Sequence, residues 1–125
     1  MPWLEPFALA LGGALGGFAR ALVSAWVTLR AGERFPWGTL SVNLSGAFLA
    51  GAIFGAQASA RLSPGWAHFL LGGLLGGYTT VSSLALQALS LFESGRRREA
   101  VGFLLSHFAF GLPLAALGWW LARHA

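Results

Sequence analysis

The sequence predicts an all-α membrane protein with four transmembrane helices and a break in the third. Hydrophobic residues make up 56% of the 125 residues and charged residues only 10%, whereas a soluble domain carries about 25% charge. The charges divide the chain into four apolar segments, each near the ~20 residues that a helix needs to cross about 30 Å of hydrocarbon. Inside the charge-free stretch 62–92, residues 76–83 read Gly-Gly-Tyr-Thr-Thr-Val-Ser-Ser, and this block predicts the break.

The four predicted spans form a single transmembrane domain and cover about residues 6–29, 37–58, 66–92 and 100–121. Short polar turns join them, so consecutive spans run antiparallel. An even number of crossings places both termini on one side of the membrane. The N-terminus has no basic region before its apolar run, so we expect no cleaved signal peptide.

The basic residues indicate a membrane orientation rather than a nucleic-acid surface. The net charge is +4, but seven of the eight arginines are scattered among the loops and span ends and leave no basic face. The positive-inside rule favours external termini, because five loop arginines lie on one side and two on the other: Arg30, Arg34 and Arg96–Arg98 against Arg61 and Arg123. No cysteine is present, which excludes disulfides and thiolate metal sites.

The first and third spans share a glycine-rich pattern. Residues 11–18, Leu-Gly-Gly-Ala-Leu-Gly-Gly-Phe, match residues 71–78, Leu-Gly-Gly-Leu-Leu-Gly-Gly-Tyr. The match stops after these residues, so similar composition explains it as well as an internal repeat does. Small residues three and four apart let another backbone approach closely. Spans one and three are therefore candidates for tight helix contacts.

Two polar residues lie deep in the first two spans. Arg20 is about ten residues before the first loop, roughly 15 Å into the membrane at 1.5 Å per residue, and two interpretations are open: it reaches back to the interface, or it attracts an anion. Asn43 lies at comparable depth after the same loop, with Thr39 one turn earlier on the same helical face. The Asn43 amide can solvate a small anion with its N–H groups, or it can hydrogen-bond between helices.

The third and fourth spans add hydroxyls and one imidazole. Thr79, Thr80, Ser82 and Ser83 cover more than one helical face, so some bond to their own helix and others face a neighbour. The preceding glycines can unwind the helix and free carbonyl oxygens for a small cation. His107 is either a packing residue or a pore residue. No Asp or Glu falls within a span, so catalytic carboxylates are absent and we expect no enzyme.

These motifs resemble the CrcB/Fluc fluoride channel family over almost the whole chain. The resemblance is carried by Gly-Gly-Phe-Ala-Arg (16–20), Gly-Thr-Leu-Ser-Val-Asn-Leu-Ser-Gly (38–46) and Gly-Gly-Tyr-Thr-Thr-Val-Ser (76–82). It implies passive, selective export of fluoride across the inner membrane by an antiparallel dimer. It also implies a sodium ion held at the dimer interface by the backbone carbonyls of Gly76 and Thr79. The pore-lining residues that it implies are Asn43, Thr39, Ser82, Ser83, Thr80, Arg20 and His107.

Two features depart from this family. Its break reads Thr-Thr-Phe-Ser-Thr-Phe, and the resemblance implies that the two phenylalanine edges contact fluoride; here these positions are Val81 and Leu84. A chain that inserts in both orientations should also have nearly no arginine imbalance. Both departures fit a member of a heterodimer whose partner supplies the aromatics. Phe18, Phe48 and Phe108 are the other candidates for that role.

The sequence therefore predicts a fluoride channel subunit, active as a homodimer or as a heterodimer with a second family member. The alternative is a non-conducting or partner-dependent subunit. A proton-coupled drug exporter is a third possibility, but it requires a carboxylate within the membrane. The acidic residues all lie at span ends or in loops: Glu5, Glu33, Glu93 and Glu99.

Overall fold

Helices account for nearly all of the chain. The computed structural model describes residues 2–125, and three long helices are continuous in it: α1 (Leu4–Ala31), α2 (Trp37–Ala58) and α5 (Arg97–His124). The third span consists of α3, residues 64–78, and α4 (Val81–Glu93). All four spans are long and apolar enough to cross a membrane. The predicted all-helical, four-span fold with a broken third span is confirmed.

Helix ends coincide with residues that stop or start helices. Gly32, with φ 87°, ends α1, and its N–H donates to the Thr28 carbonyl. Gly95, with φ 78°, lies between α4 and α5. At the start of α3, the Ser63 hydroxyl accepts from the Trp66 N–H and a proline occupies the first turn, an arrangement that favours helix initiation. Apart from Thr79 and Thr80 in the third span, the helices cover the predicted spans and extend a few residues beyond three of them.

The glycine-rich segments of α1 and α3 pack directly on each other. A Cβ added to Gly16 would lie 2.0 Å from the Leu74 carbonyl oxygen, and one added to Gly77 would lie 2.1 Å from the Gly13 carbonyl oxygen. Both distances are far below van der Waals contact, so only glycine permits this approach. The predicted tight contacts of spans one and three are confirmed, and the two similar segments, 11–18 and 71–78, contact each other.

A second close contact joins α2 and α5, which run parallel. A Cβ added to Gly51 would lie 1.9 Å from the Ala115 carbonyl oxygen, and one added to Gly118 would lie 2.2 Å from the Phe48 carbonyl oxygen. Nearer the start of both helices, an apolar cluster joins them to α4: Leu40, Ala88, Leu91, Ala100 and Phe103. This packing places the first residues of α4 beside α2 and α5.

The third span differs from the prediction in where it unwinds. It opens with Pro64–His68, continues as a π-helix over Phe69–Leu75 and ends with Gly76–Tyr78. The extended residues are Thr79, with ψ 158°, and Thr80, with φ −149°. We expected the glycines to unwind, but both stay helical, Gly77 in close contact with Gly13 of α1, and the break falls on the two threonines.

Candidate ion pathway at the break in the third span

Asn43 fills the hydrogen-bonding gap that the break opens. Its Nδ2 donates to the Thr80 carbonyl oxygen at 3.0 Å, and its Oδ1 accepts from the Thr80 N–H at 2.9 Å. Extended backbone inside a membrane has no water to bond to, so an unpaired N–H or C=O there is costly. One amide side chain on α2 therefore satisfies both backbone groups of a residue 37 positions away.

His107 on α5 extends this network. Its Nε2 lies 3.2 Å from Asn43 Nδ2, and its Nδ1 lies 2.8 Å from the Phe103 carbonyl oxygen. The Phe103 ring is fully buried and meets the imidazole edge to face, with centroids 4.9 Å apart. Three helices thus meet at the break, and His107 belongs to the polar network rather than to the apolar core.

The hydroxyls after the break have separate roles. Thr80 Oγ1 accepts from the Ser83 N–H at 3.1 Å, which makes Thr80 the N-cap of α4. It also lies 3.2 Å from Ser82 Oγ. Thr80 is buried, whereas Ser82 is exposed and Ser83 is half-buried. The Ser82 hydroxyl is therefore the most accessible of the three.

Arg20 reaches the break from α1. Its Nη1 donates to the Thr79 carbonyl oxygen at 3.4 Å, and its side chain is half-buried. A permanent positive charge is thereby directed toward the unwound backbone. Thr39, 5% exposed, lies one turn before Asn43 on α2. Its hydroxyl is therefore between the break and the first loop.

Two cavities lie on opposite sides of the break. One, of about 290 Å³, is lined by Asn43, Thr79 and Gly76 together with residues of α2 and α3. The other, of about 320 Å³, opens at the arginine-bearing end, where Arg34 and Arg96 come together. The lining residues therefore place the Asn43–Thr80 contact between the two cavities along the bundle.

Gln87 is a residue that the sequence analysis missed. It lines the cavity at the arginine-bearing end, and its Oε1 is buried without a hydrogen-bond partner among residues 2–125. The sequence did contain a pattern that indicates this position, because Thr80, Ser83 and Gln87 are three and four residues apart and therefore share one helical face. The unsatisfied Oε1 can only accept a hydrogen bond, so it suits a donor such as water rather than an anion.

The family relationship follows from residues 7–119, which match the family model described as CrcB-like protein, Camphor Resistance (CrcB). The chain belongs to the CrcB family. A relative from Bradyrhizobium diazoefficiens, named Fluoride-specific ion channel FluC 2, is 47% identical over 88% of this chain and 81% of its own length. A Rhodopseudomonas palustris protein of the same name is 46% identical over 92% and 90% of the two chains. Fluoride-specific ion channel FluC of Thermus thermophilus is 42% identical over 89% and 87%.

The two positions at which the CrcB resemblance implies phenylalanines have different surroundings. Val81 is 80% exposed and points away from the bundle. Leu84 packs against the apolar cluster that contains Phe103. Of the other candidate aromatics, Phe18 and Phe108 are 66% and 68% exposed, and Phe48 is partly buried. None of these three rings takes part in the Asn43–Thr80–His107 contacts.

The carbonyls that the CrcB resemblance assigns to sodium differ in their fit. Thr80 donates its N–H to Asn43 instead of to Gly76 four residues earlier, so the Gly76 carbonyl loses its helical donor. Gly76 is also exposed, and an exposed free carbonyl suits a small hard cation. The Thr79 carbonyl already accepts from Arg20, and that positive charge opposes a cation. The Gly76 carbonyl fits sodium better than the Thr79 carbonyl does.

Proposed function

We propose that this chain is a subunit of a fluoride-selective channel that exports fluoride across the cell inner membrane by passive electrodiffusion. The names of relatives that are 42–47% identical support fluoride as the ion. The observation that carries the proposal is the break at Thr79–Thr80, held by Asn43 between two cavities. Irregular backbone at membrane depth is tolerated only where it is buried in protein or lines a cavity.

Selectivity in this proposal comes from desolvation that hydrogen-bond donors offset only for a small anion. Ser82 is exposed beside the break, and the Arg20 charge contacts the break at the Thr79 carbonyl. Asn43 acts differently from a free donor, because its two N–H groups are directed at Thr80 and His107. Its first role is to hold the backbone at the break in one conformation. The hydroxyls, not the amide, are the groups that contact the ion.

A dimer is part of the proposal. Val81, Ser82 and Gly76 are exposed at the break, at a depth where lipid gives polar groups no partner. A second subunit that covers this face would remove the conflict. An antiparallel arrangement is the one that the family resemblance implies, and in it the Gly76 carbonyls of two chains could hold sodium between them.

A partner-dependent subunit is the second candidate. The specific observation is that Val81 presents no aromatic edge although it is 80% exposed on the surface of this chain. The imbalance of five loop arginines against two supports one fixed orientation. A second family member in the opposite orientation would then supply the phenylalanines.

Fluoride efflux from liposomes tests the function directly. Vesicles containing this chain alone are diluted into fluoride-free buffer and followed with a fluoride electrode, with chloride-loaded vesicles as the selectivity control. Fluoride efflux without chloride efflux supports a homodimeric channel. Absence of efflux, restored by a coexpressed family member, supports the partner-dependent subunit. Absence under both conditions overturns the channel proposal.

Two substitutions refine this test. Asn43→Asp replaces both N–H groups with an oxygen and adds a negative charge, so we expect fluoride flux to be abolished. Unchanged flux would rule out Asn43 as a pathway residue. Val81→Phe restores an aromatic edge on the open face, and we expect it to increase flux through the chain alone if the partner normally supplies that ring.

A further inference from the structure

We propose that His107 is a positioning residue, which holds the Asn43 amide on the break as the neutral tautomer with its proton on Nδ1. This role rests on the proposed channel function, because it concerns how the pathway keeps its shape. His107 does not need to touch the ion. It acts through Asn43, which it contacts at 3.2 Å.

The chemistry of the neighbours assigns the tautomer. The Phe103 carbonyl oxygen can only accept, so His107 Nδ1 carries the proton and donates across the 2.8 Å contact. Nε2 is then bare and can only accept. The neighbouring Asn43 Nδ2 can only donate, so it gives one N–H to His107 and the other to the Thr80 carbonyl.

The orientation of the Asn43 amide is fixed in the same way. The Thr80 N–H must face an oxygen and the Thr80 carbonyl must face a nitrogen. A flipped amide would oppose donor to donor at Thr80 and would turn its oxygen toward the bare Nε2. Donor and acceptor roles therefore agree along the whole path from Phe103 through His107 and Asn43 to Thr80. Such a continuous network is stronger than its separate bonds.

The packing of α2 and α5 holds the two side chains in register. Asn43 lies opposite His107, and eight residues later on both helices Gly51 lies against Ala115. The imidazole is also held by the buried Phe103 ring, which Phe35 meets edge to face from the other direction. His107 therefore has one available orientation, and it transmits that orientation to Asn43.

Removing the acceptor should loosen Asn43 without removing it. In His107→Leu, one Asn43 N–H loses its partner, and we expect fluoride flux to fall about tenfold, the effect of one buried hydrogen bond. In His107→Gln, a side-chain oxygen can accept the same N–H, so we expect most of the flux to return. Ser106→Ala is the matched control, because Ser106 bonds only to the Gly102 carbonyl of its own helix among the contacts described.

A positioning role also predicts non-additivity. In an Asn43→Ser background, where the amide is absent, His107→Leu should lower the melting temperature in detergent no further. A residue that supports the fold independently of Asn43 would lower it by the full additional amount. Size-exclusion profiles of each variant keep a folding failure distinct from a flux effect, and His107→Gln keeps the test decisive if His107→Leu does not fold.

Nuclear magnetic resonance of the imidazole tests the tautomer without any flux measurement. In ¹³C,¹⁵N-labelled protein, the His107 resonances are assigned by their absence in His107→Gln, and we expect the chemical shifts of the Nδ1–H tautomer. An Nε2–H tautomer would overturn the proposal, as would full flux in His107→Leu. If the wild-type chain carries no fluoride either alone or with a coexpressed family member, the channel proposal fails while the measured tautomer still decides the assignment of His107.

Discussion

The parallel contact between α2 and α5 has two halves that are held together differently. In one half, Gly51 and Gly118 let the two backbones touch, with a missing Cβ at each closest approach. In the other half, the helices stand far enough apart for Asn43 and His107 to lie between them. The glycine half fixes the helix register without any polar group. The polar half uses that register to hold the amide that completes a broken helix.

This difference shows how a membrane protein can support an interruption in one of its spans. Water is absent, so the break must find its hydrogen bonds in protein. Side chains can supply them only when they are held in place, and the glycine contacts provide the rigid frame. We therefore expect substitutions in the glycine half to affect folding, and substitutions in the polar half to affect conduction more than assembly.

Gly51→Val should have the largest effect. A Cβ at this position would lie 1.9 Å from the Ala115 carbonyl oxygen, and backbone cannot move aside as a side chain can. Overpacking costs about 1–3 kcal/mol and sometimes more, and here it would also shift the register of Asn43 and His107. We expect loss of the monodisperse peak in size-exclusion chromatography. The control is Gly102→Ala, where an added Cβ would meet no described atom within 4 Å; an equal loss in both variants would contradict the comparison.

Asn43→Ala should have the next largest effect, this time on the polar half. It leaves the N–H and C=O of Thr80 without partners, at about 1–3 kcal/mol for each buried group. We expect a lower melting temperature in detergent and loss of fluoride flux, while the chromatographic profile stays that of folded protein. If Asn43→Ala aggregated as Gly51→Val is expected to, the two halves would not differ in the way described.

Thr80→Val should have a smaller effect, confined to the start of α4. The substitution removes the hydroxyl that accepts from the Ser83 N–H, and loss of an N-cap costs about 0.5–2 kcal/mol. The Asn43 contacts use only the Thr80 backbone, so they survive. Thr80→Ser keeps the hydroxyl and should melt at the wild-type temperature. Equal melting temperatures for all three proteins would show that the cap contributes nothing.

Arg20→Gln should have the smallest effect on stability. The contact to the Thr79 carbonyl is long, at 3.4 Å, so the substitution loses only a weak hydrogen bond. Its effect on flux should be larger, because the positive charge beside the pathway is lost. We expect an unchanged melting temperature, a reduced fluoride efflux rate and near-normal flux in Arg20→Lys. An Arg20→Gln variant with a lower melting temperature and normal flux would make Arg20 a purely structural residue.

Much of the fold could be predicted from local sequence. Span number and helix type follow from apolar length and charge spacing, which each segment carries independently of the others. The glycine-rich stretches 11–18 and 71–78 also predicted close packing correctly, because absence of a Cβ is a local property. The glycines of the α2–α5 contact share this local property, but nothing local indicates which helix each of them meets.

The arrangement of the break could not be predicted in the same way. The glycines at 76 and 77 looked like the flexible residues, but both are helical, Gly77 against the Gly13 backbone of α1, and the threonines after them unwind. The difference between Val81 and Leu84, three residues apart, depends on which face of α4 meets α5. Neither packing relationship is encoded in the segment itself.

The sequence by itself determined that four helices cross a membrane, that the third is interrupted, and that Asn43, Thr80 and His107 are polar groups requiring partners there. Only the tertiary structure decided that Asn43 bonds to both of the others, although Thr80 is 37 residues and His107 is 64 residues away from it in the chain. The physical reason is that hydrophobicity and helix breaking act within a segment, whereas a hydrogen bond needs two groups at about 3 Å. That distance is set by how closely the glycines allow whole helices to pack.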